Sequence, residues 1–200
     1  MPISLGNNGS GRPFIRFSPQ ANAWVKSGDN GAVEFDPRTS GMLIDVARAQ
    51  LGWLTLGEGV REWAPWPSIT SPTKKPAGEA KMGFMVSVYA PKLLGDQVHD
   101  FSANATASTR FFEAIYNTVE AAEELDKGGV PLVQITGSKV LKIGKGTTRE
   151  IEFKIVKYVE RPKALAEIEA PTAEEPIKVT SKIEPAAPPV KAFATADEEF

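Results

Sequence analysis

The sequence predicts a mainly β protein with one long helix and a disordered C-terminal tail. Up to residue 163, short segments of alternating apolar and polar residues follow one another, and helical periodicity interrupts them once. After residue 163 the charge and the composition both change. The chain has 200 residues, 42% of them hydrophobic, which suffices for one buried core. We therefore expect one domain over residues 1–163 and a tail over residues 164–200.

Two short strands are predicted near the N-terminus, at Arg12–Phe17 and Asn22–Lys26, with the turn signal Ser18-Pro19-Gln20 between them. Side chains alternate along a strand, so one face of the first strand carries Arg12, Phe14 and Arg16. In the second strand Trp24 and Lys26 project together.

Three further strands are predicted before the helix, at Met42–Ala47, Gly52–Leu56 and Met82–Ala90. The last has the clearest alternation, with one apolar face that includes Phe84 and an opposite face that includes Lys81 and Tyr89. The connection Arg61–Ala80 is long for a loop, and long loops are often functional.

A single helix is predicted from Ser108 to Asp126. Phe112, Ile115, Tyr116 and Val119 follow the i, i+3, i+4, i+7 spacing of a buried helix face, and Gly128-Gly129 end the helix. Strands at Val130–Thr136 and Ile151–Val159 follow, and we expect Phe153 in the core.

This order of elements predicts a five-stranded Greek-key barrel of the OB type, with the helix between the third and fourth strands. A β-sandwich with an added helix fits the same pattern and stays an open alternative.

The charge is unevenly distributed. Residues 1–163 hold 20 basic and 17 acidic residues, whereas residues 164–200 hold three lysines and eight acidic residues. The last segment also contains nine alanines and five prolines. Such a composition buries too little apolar surface to offset the entropy of ordering, so we expect this segment to be disordered.

Several functions are not expected. The chain has no cysteine and one histidine, His99, so thiol chemistry, disulfides and a histidine-rich metal site are excluded. His99 and Asp100 are neighbours on an extended segment and point to opposite faces, so they form no dyad. No residue set predicts an enzyme, a cofactor or a metal. Without a long apolar run or an N-terminal signal, we expect a cytoplasmic protein with no membrane partner.

Binding of a single nucleic-acid strand has better support, because aromatic residues alternate with basic ones. Aromatic rings stack on unpaired bases while Lys and Arg contact phosphates. The first candidates are Arg12, Phe14, Arg16, Trp24 and Lys26. The Arg61–Ala80 connection adds Trp63, Trp66, Lys74 and Lys75. A second set consists of Lys81, Tyr89, Lys142, Lys145, Lys154 and Tyr158.

The chain ends in Asp197, Glu198, Glu199 and Phe200. An aromatic ring beside a free carboxylate and three acids suits an apolar pocket with a basic rim. These four residues are the predicted partner-binding tip.

In this layout and this ending the chain resembles bacteriophage single-stranded DNA-binding proteins, which have one OB-fold domain followed by a Pro/Ala-rich linker with an acidic, Phe-terminated end. It lacks the Ile-Pro before the last Phe that is typical of the bacterial proteins. The resemblance implies sequence-tolerant protection of single-stranded DNA during phage replication, recombination or repair in the bacterial host cytoplasm. It also implies that the tail recruits phage or host replication proteins such as a polymerase, a helicase or a recombination factor.

Two alternatives remain open on the sequence. One is a protein-interaction or virion component with a β-barrel docking domain, and the other is an RNA-binding cold-shock-like protein. The oligomeric state, the size of the binding site, the cooperativity and the identity of the tail's partner are also left open.

Overall fold

The protein is described by a computed structural model in residues 12–29, 31–57, 60–76 and 78–168. These residues form a mainly β structure, as predicted. The strands are β1 (Phe14–Ser18), β2 (Ala23–Gly28), β3 (Gly31–Phe35), β4 (Met42–Ile44), β5 (Gln50–Gly57), β6 (Val60–Pro65), β7 (Lys81–Tyr89), β8 (Val98–Ala103), β9 (Val130–Ile143) and β10 (Gly146–Val159). The helices are α1 (Pro91–Leu94), α2 (Thr106–Ala121), α3 (Glu124–Lys127) and α4 (Lys163–Ala166), with 3₁₀ turns at Pro37–Thr39 and Val46–Arg48.

The strands join into one ten-stranded sheet in the order β10-β9-β4-β7-β8-β1-β2-β3. The first half of β7 pairs with β5, which also pairs with β6, and its second half pairs with β4. Neighbours are antiparallel except for β1 and β8, which are parallel. The sheet curls into a half-barrel. Bulges in β10 at Glu152/Phe153 and Ile155/Lys157 add to this curvature, because a bulge bends and twists its strand.

The core lies between the curled sheet and α2. Phe111, Phe112, Ile115 and Val119 of α2 are buried, as the helical spacing predicts. Phe112 stacks on Phe84 of β7, with ring centroids 4.5 Å apart. Tyr116 and Phe153 are partly buried against the same core. The core positions expected from the sequence are therefore confirmed.

The number of strands differs from the prediction, because β3, β6 and β8 were not expected. All but the last residue of β3 are exposed, so this strand shows no apolar alternation. In β8 the residues from His99 to Ser102 are all buried, and three of them are polar. The sequence of β8 therefore lacks the alternation of apolar and polar residues that identifies a strand. β6 occupies the start of the predicted Arg61–Ala80 loop.

The helix begins and ends earlier than predicted. It starts at Thr106 without a side-chain cap, and the Ser108 side chain is buried instead of capping the helix. It ends at Ala121, and Glu123 adopts a left-handed conformation with φ 55° before the short α3. The helix predicted to continue to Asp126 is thus two helices, because the left-handed conformation of Glu123 interrupts it.

The folded body also extends past the predicted boundary at residue 163. Leu165 of α4 is fully buried. The Arg48 guanidinium donates hydrogen bonds to the carbonyls of Leu165 and Ile168, at 3.1 and 2.8 Å. Nearby, Arg161 makes two hydrogen bonds to the buried carboxylate of Asp45, at 2.9 and 3.0 Å. The predicted disorder of the tail and the tip Asp197, Glu198, Glu199 and Phe200 lie outside the described residues.

We predict that Leu165→Ala lowers the free energy of unfolding by about 2–5 kcal/mol, because it leaves a cavity beneath α4. Urea unfolding followed by tryptophan fluorescence measures this change. Val156→Ala is the matched control: Val156 is half-exposed, and we expect a change within about 0.5 kcal/mol. Equal stability of the wild-type and Leu165→Ala proteins would show that α4 is not part of the body.

Candidate nucleic-acid interface

The two sides of the sheet differ in chemistry. The alternating side chains of β7 show which side faces the core and which side faces away from it. Phe84, Val86 and Val88 of β7 face the core and are buried. Lys81, Met85 and Tyr89 alternate with them and face away from the core. Directly paired residues of neighbouring strands project from the same side, so the pairings of β7 assign the other strands.

Arg12, Phe14 and Arg16 are on the side away from the core. Phe14 pairs with Asp100 of β8, which pairs with Ser87 of β7. The Arg16 guanidinium lies 5.9 Å from the centre of the Phe14 ring, within the range of a cation–π contact. The Phe14 amide donates to Ser27 Oγ at 3.0 Å, which fixes the backbone under the ring.

Arg12 is held in place by a buried carboxylate. Its guanidinium lies 3.2 Å from Asp100, whose side chain is fully buried. The Asp100 amide also donates to the Pro13 carbonyl at 2.8 Å. Burying a carboxylate is costly unless a cation compensates it, so Asp100 and Arg12 fix each other. Part of the Arg12 side chain stays exposed.

Trp63 lies on the same side as these residues. It pairs with Leu54 of β5, and Leu54 pairs with Lys81. A Cβ at Gly52 would come within 2.8 Å of the Trp63 ring and 2.5 Å of the Ala64 carbonyl, so the indole packs directly on the glycine backbone. Trp63 is partly exposed.

Tyr89 completes this side of the sheet. Its hydroxyl donates to the Asp96 carboxylate. That hydrogen bond, with burial and the charge of Asp96, raises the pKa of Tyr89 above its ordinary value, so the phenol stays neutral. We call the resulting set the outer face: Arg12, Phe14, Arg16, Trp63, Lys81, Met85 and Tyr89.

Two further basic segments lie outside the outer face. Lys74 and Lys75 are exposed in the connection between β6 and β7. A hydrogen bond from Trp53 Nε1 to the Thr73 carbonyl, at 2.9 Å, ties this connection to the core side of the sheet, because Trp53 pairs with Met82. Lys142 and Lys145 are exposed at the tip of the long β9–β10 hairpin.

The middle of the β9–β10 hairpin lies beside the turn that follows β1. Ser138 Oγ donates to Asn22 Oδ1 in the β1–β2 turn, and Arg149 Nη1 donates to Ser138 Oγ at 3.2 Å. Asn22 has a φ of 53°, so the turn is left-handed at this contact. Arg16 lies on β1 shortly before this turn. The part of the hairpin around Ser138 is therefore close to the end of the outer face that holds Arg16.

The remaining predicted aromatic candidates lie elsewhere, and the prediction for Trp24 is wrong. Trp24 is only 5% exposed and packs against Phe17 and Phe101 in the core, so it offers no ring for stacking. Tyr158 packs against the core as well.

Three other candidates are not on the outer face. Lys26 pairs with the buried Ile15 on the core side, and its ammonium donates to the Leu93 carbonyl at 2.8 Å. Trp66 packs edge-on against Trp53, whose partner Met82 is also on the core side of β7. Lys154 pairs with Gln134 and is exposed on the same side of the sheet as Tyr89, but it lies on β10, three strands away from β7 at the edge of the sheet.

Sequence reasoning missed Asp100, Gly52 and Gly83 as parts of this surface. A Cβ at Gly83 would come within 2.7 Å of the Ala103 carbonyl, much as one at Gly52 would meet Ala64. An isolated glycine inside a strand pattern is a signal for such close approach. Nothing comparable in the sequence marks Asp100, because its partner Arg12 is distant along the chain.

His99 is a buried structural residue at 3% exposure and pairs with Val88 on the core side, whereas Asp100 is on the outer side. The two therefore form no dyad, as expected. Among the described residues, no three His, Asp or Glu side chains come together in a way that suits a metal ion. No helix in the described ranges is long and apolar enough to cross a membrane.

Comparison of the chain with protein-family models, with curated proteins and with solved structures finds no match. The function of the outer face is therefore inferred from the geometry and chemistry of its residues.

We predict that the protein becomes less stable below about pH 6.5, the ordinary pKa of histidine, partly through His99. Burial lowers the pKa of His99, with Lys26 adding to this, while the Gln97 carbonyl and Asp100 oppose it. As the pH falls, the unfolded chain binds a proton that the folded protein does not bind. In urea unfolding at pH 7.5 and about pH 5.5, His99→Gln should therefore lose less stability than the wild type. The same loss in both proteins would contradict this role of burial.

We further predict that Gly52→Ala displaces Trp63 and lowers the free energy of unfolding by about 1–3 kcal/mol, because the added methyl overlaps the ring and the Ala64 carbonyl. Urea unfolding and the tryptophan emission spectrum measure the two effects. Gly137→Ala is the control, because its Cβ would meet only the Glu152 carboxylate, at 3.4 Å. An unchanged emission spectrum in Gly52→Ala would mean that Trp63 does not pack on Gly52.

Proposed function

We propose that the protein binds single-stranded DNA on the outer face with little sequence preference. The observation that carries this proposal is that one side of the sheet collects Arg12, Phe14, Arg16, Trp63, Lys81 and Tyr89, although they come from separate parts of the chain. Aromatic planes and cations on one surface are what a single strand needs, because every base has a stacking face and every nucleotide has a phosphate.

The order of the strands supports an OB-type assignment. In β9-β4-β7-β8 the strands have the spatial order 4-1-2-3 of a Greek key, if β4 and β5 are taken as one interrupted first strand. β10 then follows as the fifth strand, and α2 lies between the third and fourth. The departure is that β1, β2 and β3 add to the edge of β8.

OB folds bind oligonucleotides on strands two and three and on the loops between strands one and two and between strands four and five. Under this assignment part of the candidate set comes from those elements, whereas Arg12, Phe14 and Arg16 come from the added β1 and the residues just before it. Strands two and three are then β7 and β8. The first loop includes Trp63, Lys74 and Lys75, and the second is the hairpin tip with Lys142 and Lys145.

The electrostatics of the outer face suit a polyanion. Asp100 is compensated by Arg12, and Asp96 accepts the hydrogen bond from Tyr89. Glu34 is on the same side of the sheet but lies two strands away from Arg16, through Val25. Phe14 and Trp63 are offset by six residues along the direction of β7, or about 20 Å at the rise of a strand, and they lie four strands apart across the sheet, which adds about 19 Å sideways. This distance suits several nucleotides stacked at intervals.

The resemblance to phage single-stranded DNA-binding proteins extends the proposal to protection of DNA during phage replication and recombination. In this proposal the acidic residues after the described body recruit replication proteins. The outer face alone supports only the DNA-binding part.

We predict that the full chain binds an oligo-dT of about 20 nucleotides with a logarithm of affinity that falls linearly with the logarithm of the salt concentration, because phosphate contacts release counterions. Fluorescence anisotropy measures the affinity. Phe14→Ala and Trp63→Ala should each weaken binding by about 1–3 kcal/mol, through loss of one stacked base. Arg16→Ala should reduce the slope of the salt dependence by about 1.

Arg38→Ala is the matched control for the charge. Arg38 is exposed but paired with Asp36 in the connection between β3 and β4, and its removal should leave the affinity unchanged. A matched oligo-rU tests whether the ligand is DNA or RNA. Salt-independent binding, or equal losses for Arg16→Ala and Arg38→Ala, would rule out the outer face as the binding site.

A further inference from the structure

A second surface, on the helix side of the sheet, borders three cavities, the first of which is mainly apolar. One cavity, of about 240 Å³, lies between α2 and the first halves of β5 and β7. Cavities of about 370 and 400 Å³ adjoin it. All three are lined by Ile69 and therefore lie next to one another around this side chain. We call the three cavities together the trough.

The walls of the first cavity of the trough come mainly from apolar side chains. Leu51, Phe84, Phe112 and Tyr116 line the first cavity, and Met82 at its edge is 55% exposed. Ile69 is partly exposed and comes from a segment whose other residues, Pro67 to Thr70, are exposed. The trough thus holds one side chain from a loop and leaves apolar surface uncovered, a feature typical of interaction sites.

The rim of the trough is acidic. Glu113 borders the first cavity, and Glu120, Glu123 and Asp126 border the second. All four are exposed, and none forms an ion pair with a cation in the described part of the chain. The four acids are thus exposed beside the cavities of the trough.

We propose that the trough is a docking site for a short basic amphipathic segment of another protein. Apolar side chains of that segment enter beside Ile69 and Met82, and its Lys or Arg residues meet the four acids. The part of α2 along the trough, from Thr109 to Glu120, rises about 16 Å, which matches about three turns of a helix. Helix-in-groove recognition uses such apolar anchors with complementary charges.

Charge decides among the occupants. The chain's own acidic end and single-stranded DNA are both polyanions, so the acidic rim disfavours both of them. Met82 and Lys81 are neighbours on opposite sides of β7, so the trough and the outer face are separated by the sheet. The trough therefore allows a protein partner to bind at the same time as a ligand on the outer face, and the proposal does not depend on the ligand being DNA.

The test uses a fluorescein-labelled helical peptide of about 14 residues, near the length of the trough, made of Leu and Lys with Leu on one face. Fluorescence anisotropy against the full chain should show binding. Two peptides are controls: one has Glu in place of Lys, and the other has Gln in place of Leu. We expect both controls to bind at least about tenfold more weakly, because the site needs apolar anchors and positive charge together.

Variants locate the binding site. Met82→Ser removes an apolar contact, and Glu113→Lys reverses a rim charge; each should weaken the Leu/Lys peptide about tenfold while the affinity for oligo-dT stays unchanged. Val156→Ser and Glu160→Lys are the matched controls, exposed residues elsewhere on the body, and should have no effect.

Three results would overturn the proposal. The first is equal weakening by the matched controls, which would place the peptide on other acidic residues. The second is equal binding of the peptide without Leu, which would reduce the interaction to charge. The third is self-association of the chain that Met82→Ser abolishes in sedimentation velocity, which would make the trough an interface between copies.

Discussion

The outer face depends on the parallel pairing of β1 with β8. This pairing places Phe14 beside Asp100 and Ile15 beside Phe101, so the two sides of β1 continue the two sides of β7 and β8. The contacts that fix it are the hydrogen bond from the Asp100 amide to the Pro13 carbonyl and the ion pair between Arg12 and the buried Asp100. A shift of one residue would exchange Phe14 and Ile15, exposing an apolar core residue.

The parts of the structure that were predictable are those with local periodicity. The period of 3.6 in α2 and the alternation in β7 identified buried residues such as Phe84 and Ile115, because each pattern is complete within one element. Phe14, Arg16 and Tyr89 were predicted as binding residues from the same alternation. The long-range pairings were not predictable, because Arg12 and Asp100 are brought together only by the fold.

The errors have a common physical origin. Trp24 was predicted on the surface because a basic residue lies close to it in sequence, but the curled sheet turns its side of β2 toward Phe111 of α2. In a half-barrel one side of every strand faces the core, so an aromatic ring near a lysine is not by itself evidence of exposure. Lys26 illustrates the same point, because its ammonium reaches back to the Leu93 carbonyl.

The two sides of the molecule have opposite electrostatic character, although its formal net charge is only −2. Cations and rings gather on the outer side, whereas Glu113, Glu120, Glu123 and Asp126 gather around the apolar trough on the helix side. Exposed charges are screened over about 8–10 Å in physiological salt, so the charges on one side have little effect on the other. In the two proposals, the acids around the trough disfavour a polyanion there, and the cations of the outer face disfavour a basic segment. A thin sheet can therefore present two surfaces whose ligands do not exclude each other.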